Sequence, residues 1–319
     1  MQTAVEEARP GPRPRFVEGQ VTVEVPATSA NLGPGFDCFG LALDHVDTLT
    51  ASIADQIEVT VEGEGAGKLP LGDRHLVVRS MLHALAKVGV NLPGVRLHCV
   101  NRIPHSRGMG SSSAAIVGGL ALARALLREP HQLTDEVLLE LANELEGHPD
   151  NVAAAIFGGF TISGQDLRTD PVEVWAVCAP VAADVSAVVF IPPTPVSTKV
   201  ARGLLPDTVS HRDAAANAGR AALLVAALTQ APDQLLRATE DFLHQTYRAS
   251  AMPGSAELMH TLRARRVPAI VSGAGPTVLA FAAPGLPEPA DLLAACPEGW
   301  RALHLGVGGA GVRQVAPSE

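Results

Sequence analysis

Residues 104–115, which read PHSRGMGSSSAA, decide the fold prediction because they join a predicted strand to an apolar helix through glycines and serines. Gly108 and Gly110 permit backbone conformations that turn consecutive N–H groups toward one concave side. Three consecutive serines follow at the start of the helix, where free N–H groups and the helix dipole favour a polyphosphate. The segment indicates a phosphate-binding loop in which a serine hydroxyl can also ligate Mg²⁺, although an ordinary helix start would use the same residues.

Three other motifs fit this sequence less well. A Walker A loop requires a lysine after its last glycine, and none follows here. The hydrolase elbow G-x-S-x-G is nearly matched at residues 110–114, but alanine stands last and several loop residues separate strand from turn. The dinucleotide pattern G-x-G-x-x-G occurs at Gly306, Gly308 and Gly311, where no βαβ unit is left to follow. A serine hydrolase built on Ser112 stays open as an alternative.

Hydrophobic periodicity on both sides of the loop changes between a two-residue repeat and a helical repeat, which predicts a mixed α and β chain. Pro26 is expected to end the first strand, and residues 27–40 are expected to form a loop rich in glycine and proline. Strands are predicted at residues 21–25, 57–62, 95–100, 172–177, 187–191, 269–272 and 277–281. Helices are predicted at residues 75–88, 113–127, 134–146, 212–228, 234–243 and 255–265.

The composition is that of a folded protein: of 319 residues, 47% are hydrophobic and 18% charged, and the length suits two domains. The net charge of −9 argues against nucleic acid or an anionic membrane as partner. The four cysteines form no C-x-x-C pair, so neither a disulfide framework nor a zinc site is expected. Residues 1–20 lack an apolar core and predict a loose tail, and the uncharged residues 109–123 are too few to span a bilayer. A soluble, cytoplasmic protein is predicted.

Several segments, taken together, resemble the GHMP kinases, the family of galactokinase and of homoserine, mevalonate and phosphomevalonate kinases. Residues 104–115 are similar to the family's ATP loop P-x-x-x-G-L-G-S-S-A-A, and residues 272–277 (SGAGPT) to its third motif S-G-S-G-P-[ST]. Residues 26–37 (PATSANLGPGFD) resemble the first motif of homoserine kinases, and residues 146–152 (EGHPDNV) point the same way. The resemblance runs from residue 21 to the end of the chain.

Four positions depart from the family pattern. Met109 replaces a leucine, Ser113 an alanine, Ala274 a serine, and His75 an asparagine near the adenine pocket. The first change conserves volume. None of the four removes a group that phosphoryl transfer obviously requires.

The resemblance implies an α/β (α+β) fold of two domains with the active site in the cleft between them. The first, at residues 21–175, would be the ATP-binding domain of the ribosomal-protein-S5-like type. The second, at residues 176–319, would be a ferredoxin-like domain, and residues 1–20 would remain a flexible tail.

The resemblance also implies ATP as co-substrate and Mg²⁺ as its companion ion. The implied ATP-binding residues are Pro104, His105, Ser106, Arg107, Gly108, Met109, Gly110, Ser111, Ser112, Ser113 and Ala114. Ser112 and Glu146 are the implied Mg²⁺ ligands, because a hard cation that keeps several waters needs few protein oxygens. Glu144 competes with Glu146 for this role.

L-homoserine is the acceptor that the resemblance implies, together with a homodimer and a place in threonine biosynthesis. The implied acceptor-binding residues are Asn31, Asp37, His148, Asp150, Thr198, Arg202, Arg248 and Gly273. The arginines offer the planar fork that suits a carboxylate, and the Asp150 carboxylate suits an ammonium group. Asn31, Asp37, Ser112 and Glu146 are the implied catalytic residues.

No dedicated strong base is predicted for the acceptor hydroxyl, because the lysine that some family members carry in the first motif is missing and the three lysines lie elsewhere. Phosphoryl transfer depends mainly on positioning and charge neutralisation, so the hydroxyl proton can leave late. Two further alternatives stay open: a kinase of mevalonate or a related intermediate, and an ATP-binding protein that senses a ligand without catalysis.

Overall fold

Two β-sheets organise the chain in the computed structural model, which describes residues 15–170 and 172–316. The larger sheet has the order β11-β1-β2-β4-β3, and β5 and β6 extend it from β2. Its strands are β1 (Gln20–Asn31), β2 (Gly35–Ile53), β3 (Ile57–Gly63), β4 (Val95–Asn101), β5 (Phe160–Asp166), β6 (Glu173–Ala179) and β11 (Arg313–Val315). The smaller sheet has the order β10-β7-β9-β8 and contains β7 (Ser186–Ile191), β8 (Ala269–Val271), β9 (Val278–Ala282) and β10 (Arg301–Gly306).

The helices fill the sequence between the strands and make the chain α+β. Those of the first half are α1 (Leu76–Lys87), α2 (Ser111–Leu126), α3 (Asp135–Glu146) and α4 (Asp150–Phe157). Those of the second half are α5 (Thr198–Arg202), α6 (His211–Thr229), α7 (Leu235–Ala238), α8 (Gln245–Arg248), α9 (Pro253–Ala264) and α10 (Pro289–Ala294). None of the helices among the described residues is long and apolar enough to cross a membrane.

Helix α2 lies at the centre of the first half, buried on nearly every side, as its uniformly apolar sequence predicts. It packs against α1, α3, α4 and β1. Two glycines let these neighbours approach: a Cβ on Gly118 would lie 2.3 Å from Leu49 Cδ1, and one on Gly119 would lie 2.4 Å from the Val77 carbonyl oxygen. This packing fixes the N-terminus of α2, where the predicted phosphate loop ends.

The expected end of the first strand at Pro26 is wrong, because β1 continues to Asn31 and β2 starts again at Gly35. The register shifts between Pro26, which pairs with Val46, and Ala27, which pairs with Leu43, so the ladder has a bulge-like irregularity there. A proline has no N–H to donate to a ladder, and a bulge is one of the places in a sheet that tolerates it. Most of the predicted loop at residues 27–40 is therefore paired strand.

The predicted helix at residues 234–243 is much shorter than expected, since α7 ends at Ala238. Asp241 then accepts hydrogen bonds from the backbone N–H groups of Leu243, His244 and Gln245. A carboxylate that takes these N–H groups starts the next helix, α8, and turns the chain. This turn brings Arg248 to the interior.

The sheets group the chain slightly differently from the predicted division at residue 175. Strand β6 runs to Ala179 within the larger sheet, and β11 returns to pair with β1. In the predicted tail, residues 1–14 lie outside the described residues, whereas the Val17 N–H donates to the Leu126 carbonyl oxygen at 2.9 Å. The division at residues 175 and 176 stays a prediction.

Candidate active site

A cleft of about 370 Å³ lies where the phosphate loop, the first motif, the start of α4 and α5 meet. Its lining includes most of the predicted site residues. These are Asn31, Asp37, Ser106, Arg107, Gly108, Gly110, Ser111, Ser112, Ser113, Glu146, His148, Asp150, Thr198, Arg202, Arg248 and Gly273. A second cavity of about 700 Å³, here called the outer cavity, shares Ser106 and Arg107 with the cleft and also contacts Pro104 and His105.

The phosphate loop has the left-handed turns that its glycines predict, with φ of 72° at Gly108 and 70° at Gly110. A Cβ on Gly108 would lie 2.2 Å from the Ser272 carbonyl oxygen, and one on Gly110 would lie 2.0 Å from Thr28 Oγ1. The Thr28 N–H donates to the Met109 carbonyl oxygen at 3.1 Å. Only glycine therefore fits at either position, for both conformation and space.

The turn between β8 and β9, which carries the third motif, binds the phosphate loop to β1. Ser272 Oγ lies 2.6 Å from the Gly108 carbonyl oxygen and 2.8 Å from Ser29 Oγ. The Gly273 N–H donates to the Ala30 carbonyl oxygen at 3.1 Å. Three segments far apart in sequence thus form one hydrogen-bonded floor of the cleft.

The two predicted metal ligands meet at this floor. Ser112 Oγ donates to Glu146 Oε1 at 2.7 Å, and Ser113 Oγ donates to the same oxygen at 3.1 Å. Glu144 instead contacts His83 at 2.8 Å and does not line the cleft. Hydroxyl and carboxylate oxygens fit Mg²⁺, which takes few protein ligands beside phosphates and water. Among the described residues, no group of three or more His, Cys, Asp or Glu is placed to hold a metal.

Asn31 and Asp37 connect the floor to the opposite wall. Asn31 Nδ2 donates to the Gly273 carbonyl oxygen at 2.8 Å, and Asn31 Oδ1 accepts from the Asp37 N–H at 2.9 Å. Both residues have left-handed φ, 66° and 54°, which is uncommon outside glycine and frequent at functional sites. Arg202 places its fork on the Asp37 carboxylate at 2.9 and 2.6 Å. The hydrogen bonding to Asp37 raises the pKa of Arg202. Burial acts in the opposite direction, and the charge of Asp37 adds to the increase.

Arg248 is the most unusual group in the cleft, because its guanidinium is buried with 2% of the residue exposed. Nη1 donates to His244 Nδ1 at 3.2 Å and lies 3.5 Å from the Gly273 carbonyl oxygen, but Nε has no partner among the described residues. Burial and the charge of Arg202 lower the pKa of Arg248. A buried cation with a free donor is costly unless an anion completes it.

Phe36 and His244 hold this arginine in place, and neither was predicted. The Phe36 ring lies 5.1 Å from the Arg248 guanidinium carbon and 5.6 Å from that of Arg202, within cation–π range. His244 Nε2 donates to the Gly33 carbonyl oxygen at 2.8 Å, which leaves Nδ1 free to accept from Arg248. Burial lowers the pKa of His244 and favours this neutral form. Phe36 lies within the first motif, whereas no local pattern marks His244.

His148 and Asp150 form a pair at the start of α4. His148 Nδ1 lies 2.8 Å from Asp150 Oδ1, and Asp150 is only 2% exposed. Burial lowers the pKa of His148, but the hydrogen bond and charge of Asp150 outweigh it, so the pKa is raised. Asp150 Oδ1 also accepts from the Asn151 N–H at 2.7 Å, and Asn151 Oδ1 accepts from Thr28 Oγ1 at 2.8 Å. The pair is thereby joined to the phosphate loop.

Two of the predicted ATP-binding residues do not line the cleft, and one lysine without a predicted role does. The side chains of Met109 and Ala114 are buried in the core and line neither cavity, so their assignment to ATP stays a prediction that rests on the backbone. All three lysines lie outside the first motif, and no role in the site was predicted for any of them. Lys199 lines the cleft, because α5 folds over it. Within residues 197–202 (STKVAR), the sequence predicts roles for Thr198 and Arg202 and none for Lys199.

Comparisons with known proteins show which proteins the chain is similar to. The family model described as "GHMP kinases N terminal domain" matches residues 75–159. Homoserine kinase from Streptomyces avermitilis is 49% identical over 313 residues, covering 95% of this chain and 99% of that protein. The crystal structure of homoserine kinase from Cytophaga hutchinsonii superposes with a TM-score of 0.74 at 27% identity over 93% of this chain and 97% of that one. The structure of a putative homoserine kinase from Listeria monocytogenes superposes with a TM-score of 0.73 at 30% identity, over 93% of this chain and 100% of that one.

The fold and the phosphate loop together define a GHMP kinase, and the predicted two-domain fold of that class is confirmed. With close to half of its residues identical to a relative over nearly its full length, the chain belongs to the homoserine kinase family.

Proposed function

We infer that the protein transfers the γ-phosphoryl group of ATP to the side-chain hydroxyl of L-homoserine. The observation that carries this inference is the combination, in one cleft, of the phosphate loop with a buried arginine whose Nε donor has no described partner. The first feature suits a polyphosphate and the second suits a carboxylate. The names of the relatives supply the particular acid.

The phosphate loop would hold the triphosphate through backbone N–H groups at the start of α2. Ser112 and Glu146 would hold Mg²⁺, whose contribution is to neutralise phosphate charge. Their distance of 2.7 Å supports a shared role. The outer cavity adjoins the loop through Ser106 and Arg107 and has room for a nucleoside.

The acceptor half would recognise a zwitterion by its two charges. Arg248 would take the carboxylate, because Nε of its buried guanidinium has no hydrogen-bond partner among the described residues. Asp150, beside His148, would take the ammonium group. Asn31 and Asp37 lie between these groups and the phosphate loop, which suits a role in orienting the hydroxyl.

In the transfer, the acceptor hydroxyl oxygen would form a bond to the γ-phosphorus while the bond between the γ-phosphorus and the β–γ bridging oxygen breaks. The bond's electrons leave with ADP, and the hydroxyl proton leaves late, to the transferred phosphoryl group. Asp37 is paired with Arg202 and Asp150 with His148, so neither carboxylate is a free strong base. Positioning and electrostatic stabilisation would supply most of the rate.

The test is ADP release from Mg-ATP by the purified protein, with homoserine, mevalonate, 2-aminobutyrate or no acceptor. We expect stimulation by homoserine alone and a phosphorylated product in the mass spectrum. 2-Aminobutyrate has the same charges without the hydroxyl and should compete with homoserine. Turnover with mevalonate and not homoserine would refute the acceptor and keep the phosphate site.

We also propose a homodimer that acts in the cytoplasm on the route to threonine, as the resemblance to the family implies. Sedimentation equilibrium of the purified chain measures the first point. A single species with the 33.0 kDa mass of the monomer would refute it.

A further inference from the structure

The wall of the cleft that carries α5 is attached at its start to the phosphate loop. The Arg107 guanidinium donates to the carbonyl oxygens of Pro192, at 2.9 Å, and Pro193. The Val196 N–H donates to the Ser106 carbonyl oxygen at 3.3 Å. These hydrogen bonds therefore hold the segment before α5, residues 192–196, against the phosphate loop.

The same wall is attached at its other end to the first motif. Arg202, the last residue of α5, holds Asp37 with two hydrogen bonds. Lys199 lies one helical turn before Arg202, and residues three apart share a helix face. Both attachments thus keep Lys199 beside the cleft, which it lines together with Ser111, Ser112 and Ser113.

Among the described arginines and lysines that line the cleft, Lys199 differs from the others in that no hydrogen bond holds its charged group. Arg107 is bonded to backbone carbonyls, Arg202 to Asp37, and Arg248 to His244. Within residues 15–170 and 172–316, the side chain of Lys199 makes no hydrogen bond or ion pair, and the residue is exposed. An ammonium on a flexible stem keeps its donors available for a ligand.

We propose that the Lys199 ammonium binds the γ-phosphoryl oxygens of ATP and stabilises them during transfer, an inference that rests on the proposed kinase function. The loop and α2 can bind the phosphates from one side with backbone N–H groups. Lys199 reaches the same cleft from the α5 wall, where the acceptor's ammonium would be repelled and Arg248 already suits its carboxylate. The γ-phosphoryl group carries the charge that moves when its bond to ADP breaks, so a fixed cation there favours the transition state.

The first measurement separates the γ-phosphate from the rest of the nucleotide. Lys199→Met should weaken binding of Mg-ATP roughly tenfold in calorimetry and leave Mg-ADP unchanged, since only ATP has the proposed partner. It should also lower kcat about 100-fold, the lower end of the range for removing one donor from a transition state. Lys199→Arg, which keeps the charge, should recover part of the ATP preference.

Lys87→Met is the matched control, because Lys87 is also exposed, without a described partner, and lies at the end of α1 outside the cleft. It should leave ATP binding, ADP binding and kcat unchanged. Unchanged ADP binding by Lys199→Met also shows that the variant is folded.

Three results would overturn the assignment. Equal losses for ATP and ADP would indicate a general field or a structural role. A rise confined to the KM of homoserine would mean that Lys199 binds the acceptor carboxylate. No change in any of these values would mean that Lys199 has no role in the site. The ATP and ADP measurements need no acceptor, so failure of homoserine turnover in the unmodified protein is a separate result that refutes only the proposed acceptor.

Discussion

The two halves of the cleft are built by different means. The phosphate half consists of backbone groups and small side chains: Thr28, Gly108, Gly110, Ser112 and the turn at Gly273. The acceptor half consists of charged side chains that hold one another: Asp37 with Arg202, His148 with Asp150, and Arg248 with His244. Backbone donors fit any polyphosphate, whereas a buried set of charges fits one arrangement of opposite charges. We therefore expect the phosphate half to set the reaction class and the acceptor half to set the substrate.

The largest effect should come from the acceptor half. Arg248→Met removes the buried guanidinium, and losing one member of a buried charge pair costs about 2–4 kcal/mol, or roughly 30- to 1000-fold. We expect that loss in kcat/KM for homoserine, with the KM for ATP nearly unchanged. Steady-state kinetics with each substrate varied measures both.

Arg263→Met is the control for this change. Arg263 is partly buried, and its guanidinium donates to Thr239 Oγ1 and to the Ala269 carbonyl oxygen away from the cleft. It should lower the free energy of unfolding and leave the homoserine KM as it was. If both variants raise that KM alike, the acceptor half does not select the substrate through Arg248.

The phosphate half should respond to a single methyl group. Gly108→Ala places a Cβ 2.2 Å from the Ser272 carbonyl oxygen, so loop and turn must separate. A misplacement of this kind costs about 100-fold in kcat/KM for ATP. Gly89→Ala shares the left-handed φ, 66° against 72°, but has open space around its Cβ. It should lose some stability and no activity; equal losses in activity would mean that φ strain, and not the contact, matters.

The Mg²⁺ concentration needed for activity should depend on Glu146 and not on Glu144. Glu146→Gln should raise the Mg²⁺ concentration needed for half-maximal activity by roughly tenfold, since it removes a charged oxygen from the Ser112 contact. Glu144→Gln loses only the contact with His83 and should leave the Mg²⁺ requirement unchanged. The opposite result would exchange the roles of the two residues.

The smallest effect should be a pH dependence of stability from the acceptor half. The raised pKa of His148 means that the folded protein binds this proton more tightly than the unfolded chain. The resulting stabilisation is complete below the ordinary value of 6.5 and is lost as pH rises through the folded pKa. The difference in free energy of unfolding between the unmodified protein and His148→Gln should therefore shrink as pH rises.

Denaturant titrations across this range measure that difference, and His131→Gln serves as the control. His131 is exposed in the turn after α2 and lies outside the cleft. Its replacement should show no such trend. A His148 difference that grows with pH would contradict the assigned direction.

The sequence alone determined the parts that local chemistry specifies. Glycines followed by serines at an apolar helix mark a loop that needs left-handed φ and free N–H groups, and the structure has both at Gly108 and Gly110. The buried course of α2 follows from its composition in the same way. The prediction that the first strand ends at Pro26 is wrong, because only the pairing with β2 shows that the strand continues past the register shift there.

The tertiary structure alone decided which charges meet. Arg202 reaches Asp37 across 165 residues. The Arg248 side chain approaches Gly273 and His244 only because the chain turns at Asp241 into α8. Lys199 entered the cleft because α5 is held at both ends. Such contacts depend on how distant segments pack, and a charged residue in a loop looks the same in sequence whether it is solvated or buried against a partner.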